Sequence, residues 1–145
     1  MDIWKVLMLV AAGLFAGGAA SFAWSRVPIW RRMEGSQFVR DFAQTLDRTD
    51  KVQPALLVVA IISAAGYALS TDGLARLLAL LGAAGFVVTL VASFALLVPL
   101  QRTIIASAAE RPDVAEMRAR WDRGNLARSV LAVVSCVVVA MAAAV

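Results

Sequence analysis

The side chains best suited to chemistry lie just before the last apolar segment, where Trp121, Asn125 and Arg128 follow one another at helical spacing. Residues at positions i, i+4 and i+7 share one face of a helix. Arginine and asparagine donate hydrogen bonds that can hold a developing oxyanion, and Asp122 or Asp50 is a candidate general base. Headgroup anchoring and hydrogen bonding between helices are the structural alternatives.

The chain has no histidine, which removes the commonest general base and the commonest metal ligand. The single cysteine, Cys136, lies in an apolar segment and cannot form an internal disulfide. The sequence contains no glycine-rich phosphate loop, no cluster of metal ligands and no nucleophile–base pair. It therefore predicts neither a metal nor another cofactor.

The elements that must position these residues are four segments of 17 to 25 residues without a charged side chain. Hydrophobic residues make up 61% of the 145-residue chain, whereas a soluble domain is about half apolar. A helix crosses a bilayer with about 17–25 mainly apolar residues, so all four segments qualify. We predict an all-α integral membrane protein with a single membrane domain over residues 1–145. Its spans are expected at about 6–25, 53–71, 76–99 and 126–145.

The connections between the spans carry patterns of their own. Phe38, Phe42 and Leu46 recur every fourth residue, which predicts a short amphipathic helix between spans 1 and 2. Val27-Pro28 and Val98-Pro99 are expected to end the first and third helices. The predicted architecture is a four-helix bundle built from two helical hairpins, with short amphipathic helices in the 1–2 and 3–4 connections.

The basic residues indicate the topology. Of the 14 Lys and Arg, six lie between spans 1 and 2 and six between spans 3 and 4. The positive-inside rule places these long loops in the cytoplasm and both termini outside, in a multi-pass protein of the cell membrane. The basic pI of about 10.2 therefore predicts no nucleic-acid partner. Headgroup anchoring is expected for Arg26, Arg31, Arg32, Arg111, Trp4, Trp24 and Trp30.

Span 1 carries a stripe of small residues, with Gly13, Gly17, Ser21 and Ser25 at every fourth position. Small residues let another helix approach closely. Packing inside the bundle is the first interpretation of this stripe. A homo-oligomer interface through the Gly13/Gly17/Ser21 face is the second.

The two halves of the chain echo each other. Ala20-Ser21-Phe22-Ala23 before Val27-Pro28 matches Ala92-Ser93-Phe94-Ala95 before Val98-Pro99. A parallel repeat of this kind brings equivalent positions together at the loop-side mouth of the bundle. The paired positions are Trp30 with Gln101, Arg31 with Arg102, Asp50 with Asn125, and Gln53 with Arg128.

Three motifs resemble a known family. Val98-Pro99-Leu100-Gln101-Arg102, residues 120–128 and Gln53-Pro54-Ala55-Leu56 are similar to the DUF1772 family of small four-span membrane proteins, which includes anthrone oxygenases of polyketide pathways. The resemblance implies oxidation of an anthrone-like phenolic polyketide by O₂ without metal or flavin. The family pattern has Asn and His where this chain has Gln101 and Asn125.

These residues predict a site for a hydrophobic, aromatic small molecule at the loop-side mouth. Oxidation without a cofactor needs donors for an oxyanion, a base and a dry pocket. The candidate catalytic residues are Asn125, Arg128, Asp50 and Asp122, and the candidate substrate-binding residues are Trp30, Gln53, Gln101, Arg102 and Trp121. The alternative is a non-catalytic membrane module that binds a lipid or a partner membrane protein. A cavity shared by Asn125, Arg128, Gln101 and a tryptophan favours the site.

Overall fold

A computed structural model describes residues 2–107 and 113–145, apart from the side chain of Asp50. Regular structure in this part of the chain is entirely helical. Among the described residues, four helical stretches are long and apolar enough to cross a membrane. The prediction of an all-α, multi-pass membrane protein is therefore confirmed. The elements are α1 (Ile3–Arg32), α2 (Gly35–Leu69), α3 (Gly73–Ala92), a π-helical turn (Ser93–Leu97), α4 (Val98–Ala106) and α5 (Val114–Ala144).

The first helix is longer than predicted. Pro28 does not end α1, which continues to Arg32. The Arg118 guanidinium of α5 donates to the carbonyls of Trp30 and Met33 at 2.9 and 3.1 Å. A side chain that satisfies the last carbonyls of a helix stabilises its final turn. The expected end at Val27-Pro28 was wrong because α5 supplies this cap.

The amphipathic segment between spans 1 and 2 is helical, as its pattern predicted, but it is not a separate short helix. α2 runs without interruption from Gly35 through Pro54 to Leu69. Phe38, Phe42 and Leu46 are buried against the other helices. This packing extends α2 well beyond the membrane segment that begins at Lys51.

The third span continues into α4 through a π turn, so Val98-Pro99 does not end the helix as predicted. Pro99 has no N–H, and the carbonyl of Ala95 therefore loses its usual partner four residues on. Just before the proline, the Val98 N–H donates to the carbonyl of Ser93, five residues back, and this i to i−5 bond closes the π turn. π turns of this kind insert one extra residue into a helix and often occur at functional sites.

Two clusters of buried side chains hold the helices together. The larger cluster lies within the membrane segments, where α1 packs against α2 and α5, and α3 packs against the same two helices. The second lies at the loop-side end, and its rings form what we term the aromatic cluster. Neighbouring ring centroids in this cluster are 5.0 to 6.1 Å apart, mostly edge to face. Its members are Phe22, Trp30, Phe38, Phe42 and Trp121.

The stripe of small residues on α1 does not pack inside the bundle. Gly13 and Gly17 are exposed, and a Cβ added at either would meet no atom within 4 Å. Internal packing was the wrong interpretation because the large side chains of Met8 and Phe15 occupy the inward face of α1. Close helix approach occurs elsewhere, for example at Gly82 of α3.

Trp30 is completely buried, so its predicted role as a headgroup anchor was wrong, whereas Trp24 of the same helix is 80% exposed. We predict that Trp30→Ala lowers the free energy of unfolding by about 3–5 kcal/mol, because it leaves a cavity inside the aromatic cluster. Trp24→Ala is the matched control and should cost less than about 1 kcal/mol. Denaturant titration in detergent micelles measures both. Equal losses from the two substitutions would contradict the burial of Trp30 in the aromatic cluster.

Candidate functional site

A cavity of about 290 Å³ lies where α1, α2, α4 and α5 meet, close to the start of the α2 membrane segment. We call it the polar cavity. Hydroxyl groups line two of its sides, from Ser21 and Ser25 on α1 and from Thr45 and Thr49 on α2. Trp121 of α5 forms part of the wall.

A second cavity of about 180 Å³ lies deeper, between α2, α5 and the third span, and we call it the apolar cavity. Phe15, Leu57, Leu90 and Phe94 are among its lining residues. The two cavities share three polar side chains, which belong to three different helices. These residues are Gln53, Gln101 and Arg128, termed the polar trio below.

Asn125 supports the trio without lining either cavity. Its side chain is fully buried, and its Oδ1 accepts a hydrogen bond from Nη2 of Arg128 at 2.9 Å. Ser129 fixes the same turn of α5, because its hydroxyl lies 2.8 Å from the Asn125 carbonyl and 3.1 Å from the Ala19 carbonyl. A hydrogen bond to a charged group is stronger than a neutral one. Asn125 therefore orients the guanidinium.

The π turn places Gln101 in the site. Phe86 and Thr89 are buried on the inward face of α3, and the buried stripe resumes at Leu97 and Gln101. A regular helix of 3.6 residues per turn would bring the stripe back about one residue earlier. The extra residue in the π turn therefore rotates Gln101 towards the bundle interior, where it is 7% exposed.

Deleting Ala95 from the π turn should rotate the following side chains by about 100° and turn position 101 outwards. We predict that a cysteine introduced at Gln101 in a Cys136→Ser background reacts slowly with a maleimide in detergent. After deletion of Ala95 it should react about tenfold faster, because thiol labelling follows exposure. A cysteine at the exposed neighbour Arg102 is the control and should respond in the opposite direction. Unchanged rates at both positions would contradict this account of the π turn.

Gln53 fits against α1 at a glycine. A Cβ at Gly18 would collide with the Gln53 side-chain amide, so a larger residue there would have to displace that group. Along α2, Gln53 ends a polar stripe that begins at Asp41 and continues through Thr45 and Thr49. Sequence reasoning missed Gly18, Thr45 and Thr49. For Thr45 and Thr49, the available signal was their four-residue spacing beside the Phe38/Phe42/Leu46 stripe.

Arg26 was predicted to anchor to headgroups, but it lines the polar cavity. Its Nη2 donates to Asp41 Oδ1 at 2.8 Å and to Thr45 Oγ1 at 3.3 Å. The other oxygen of Asp41 accepts the Trp30 indole N–H at 2.5 Å. This network joins α1 to α2 beside the cavity.

Other predicted site residues lie outside both cavities. Asp122 is buried and pairs with Nε of Arg31 at 2.9 Å, in a separate surface pocket. Arg102 is exposed, and Trp30 lies in the aromatic cluster. The side chain of Asp50, and the whole of Arg111, fall outside the described residues. Within the described part of the chain, no three His, Cys, Asp or Glu residues form a metal-binding group.

The arrangement joins a guanidinium and two carboxamides from three helices in a partly enclosed space. Arg128 carries a permanent positive charge, and Gln53 and Gln101 each offer two N–H donors. Such groups hold a carbonyl oxygen and stabilise the negative charge that develops on it. Aromatic and aliphatic side chains lie beside them in the cavity walls, and apolar surroundings strengthen that interaction.

A comparison with protein families identifies the group to which this chain belongs. The profile of one family, described as anthrone oxygenase, matches residues 42–138, which is more than half of the chain. The chain belongs to the anthrone oxygenase family. The matched region contains the entire polar trio, and the resemblance seen in the sequence motifs is confirmed. Searches among curated proteins and among solved structures found no match.

Proposed function

We propose that the polar cavity binds an anthrone-like phenolic compound and that the protein oxidises it with O₂. The observation that carries this proposal is the polar trio, where Arg128 and two carboxamides meet between two cavities. Small-molecule sites usually occupy about 300–1,000 Å³ and are mostly apolar with a few convergent polar groups. The two cavities together reach the lower part of that range.

The chemistry follows from the acidity of such substrates. Loss of a proton from the ring CH₂ gives an enolate, whose charge lies largely on oxygen. Arg128, oriented by Asn125, and the amide N–H groups of Gln53 and Gln101 would hold that oxygen. The enolate reduces O₂, and the ring CH₂ becomes a C=O. One oxygen atom enters the product, and the other leaves as water with the two hydrogens of the CH₂.

The proposed base is Asp50. It lies one helical turn before Gln53 in the sequence of α2. Asp122 is not proposed for this role, because it pairs with Arg31 outside both cavities. The proposed route uses no cofactor.

The proposed topology places the site on the cytoplasmic side of the cell membrane, with both termini outside. The described part of the 1–2 connection carries Arg26, Arg31 and Arg32 at the end of α1. An excess of Lys and Arg in short loops favours retention in the cytoplasm. A substrate made in the cytoplasm would then reach the polar cavity without crossing the bilayer.

The first test removes the guanidinium. We predict that Arg128→Ala lowers kcat/KM for aerobic conversion of anthrone to anthraquinone by about 10²–10³, the usual effect of losing one oxyanion donor. Quinone absorbance measures the rate with purified protein. Arg120→Ala is the control, because Arg120 is exposed on the same helix and lines neither cavity. An Arg128→Ala variant as fast as the wild type would rule out this mechanism.

The second test moves Gln53 through its neighbour. Gly18→Ala should displace the Gln53 amide and lower kcat/KM several-fold, whereas Gly17→Ala meets no atom within 4 Å and should leave activity intact. Each substitution also raises helix propensity, worth about 0.5–1 kcal/mol of stability. Thermal unfolding alongside quinone formation separates the two effects. Equal activity of the two variants would argue against a role for Gln53.

A second candidate function is a non-catalytic membrane module that binds a lipid or a partner membrane protein, which could be another copy of the chain. The exposed Gly13/Gly17/Ser21 face of α1 favours it, because nothing in the described chain covers Gly13 or Gly17. If purified wild-type protein forms no quinone, and Gly17→Leu converts an oligomer into a monomer in detergent, this function replaces the oxygenase.

A further inference from the structure

We propose that the two cavities admit different reactants: the aromatic substrate enters the polar cavity, and O₂ reaches the site through the apolar cavity from the bilayer. This inference rests on the proposed oxidation. It assigns a different reactant to each of two partly open cavities that share one set of side chains.

The polar cavity suits a substrate with oxygen substituents. Ser21 and Ser25 line it and are exposed, so it opens to the outer surface of the bundle beside α1. Thr45, Thr49 and Arg26 supply further polar groups on its wall. A phenolic ring system needs hydrogen-bonding partners for its hydroxyl and carbonyl groups when it leaves water.

The apolar cavity suits a small molecule without hydrogen-bonding groups. Away from the polar trio, every residue that lines it except Ser93 is hydrophobic, with Phe15, Leu57 and Leu90 among them. The hydroxyl of Ser93 is already bonded within its own helix, to the Thr89 carbonyl at 2.7 Å. O₂ is apolar and dissolves more readily in hydrocarbon than in water, so an apolar space favours it over water.

The apolar cavity also reaches the surface that faces lipid. Phe94 lines it and is 57% exposed, on a helical stretch that is apolar enough to cross the membrane. The cavity adjoins the bilayer on one side and the polar trio on the other. O₂ dissolved in the bilayer would therefore meet the enolate at the trio, from the side opposite the substrate entrance.

The test narrows each cavity separately and measures two Michaelis constants. Leu90→Phe adds a ring to the wall of the apolar cavity. We expect it to raise KM for O₂ by about threefold or more, while KM for anthrone stays within about twofold. Val91→Phe is the matched control, because Val91 is 60% exposed on the same helix and lines neither cavity. Oxygen uptake at varied O₂ concentration measures the first constant, and quinone absorbance at varied anthrone the second.

The reciprocal variant is Ser21→Phe, which narrows the polar cavity. It should raise KM for anthrone and leave KM for O₂ unchanged. If Leu90→Phe does not fold, as judged by circular dichroism and gel filtration, Ser93→Leu fills the same cavity from the neighbouring turn.

The outcomes separate this inference from the function on which it rests. Wild-type protein that neither consumes O₂ nor forms quinone refutes the oxygenase and this inference with it. Active wild type whose KM for O₂ is unaffected by both cavity-filling variants refutes the oxygen route alone. A rise in KM for anthrone in Leu90→Phe would also refute it, because the ring system would then occupy the apolar cavity.

Discussion

The hydrogen bond from Arg128 to Asn125 is the interaction around which the site is organised. A charged side chain inside a membrane segment costs about 2.5–3.5 kcal/mol on insertion scales, and such residues generally face a bundle interior or a water-filled cavity. Here the guanidinium lies beside a fully buried amide at 2.9 Å, and the polar cavity gives it space. The amide and the cavity together allow a permanent cation to lie among apolar helices.

The remaining members of the trio reach this cation through local features of their own helices. Gly18 leaves room for Gln53, and the π turn before Pro99 rotates Gln101 inwards. The π turn interrupts regular helix geometry, and the glycine at position 18 gives up a side chain that could pack. Both changes allow a carboxamide to lie in the cavity wall. Departures from local preference of this kind are expected at functional sites, where the requirements of binding compete with those of folding.

The number of spans could be predicted from the sequence, because hydropathy and charge along the chain are set by the order of its residues. Four spans and the family followed from local patterns. Of the paired positions expected together at the mouth, Gln53, Gln101 and Arg128 share cavity walls, whereas Arg102 is exposed and Trp30 lies in the aromatic cluster. The course of the helices did not follow from local patterns. Pro28 was expected to end α1, since a local rule takes no account of the cap that Arg118 supplies from α5.

The same limit explains why Trp30 and Arg26 were assigned to the membrane surface. Both lie near the end of a span, and an interfacial position is usual for such residues. Their positions depend on partners from other segments, namely Asp41 for both residues and the aromatic cluster for Trp30. A single sequence shows where a span ends more readily than it shows which residues of other segments will contact that end.

The arginines at the end of α1 show how the loop-side mouth is divided. Arg26 pairs with Asp41 of α2 and Arg31 with Asp122 of α5, each at a distance below 3 Å. The two pairs connect α1 to its two neighbours, with the aromatic cluster between them. Because Asp41 and Asp122 are engaged in these pairs, both carboxylates serve to join helices. The mouth is therefore fixed by ion pairs on its outer side, while within it Arg128 donates to the Asn125 amide and shares the cavity walls with Gln53 and Gln101.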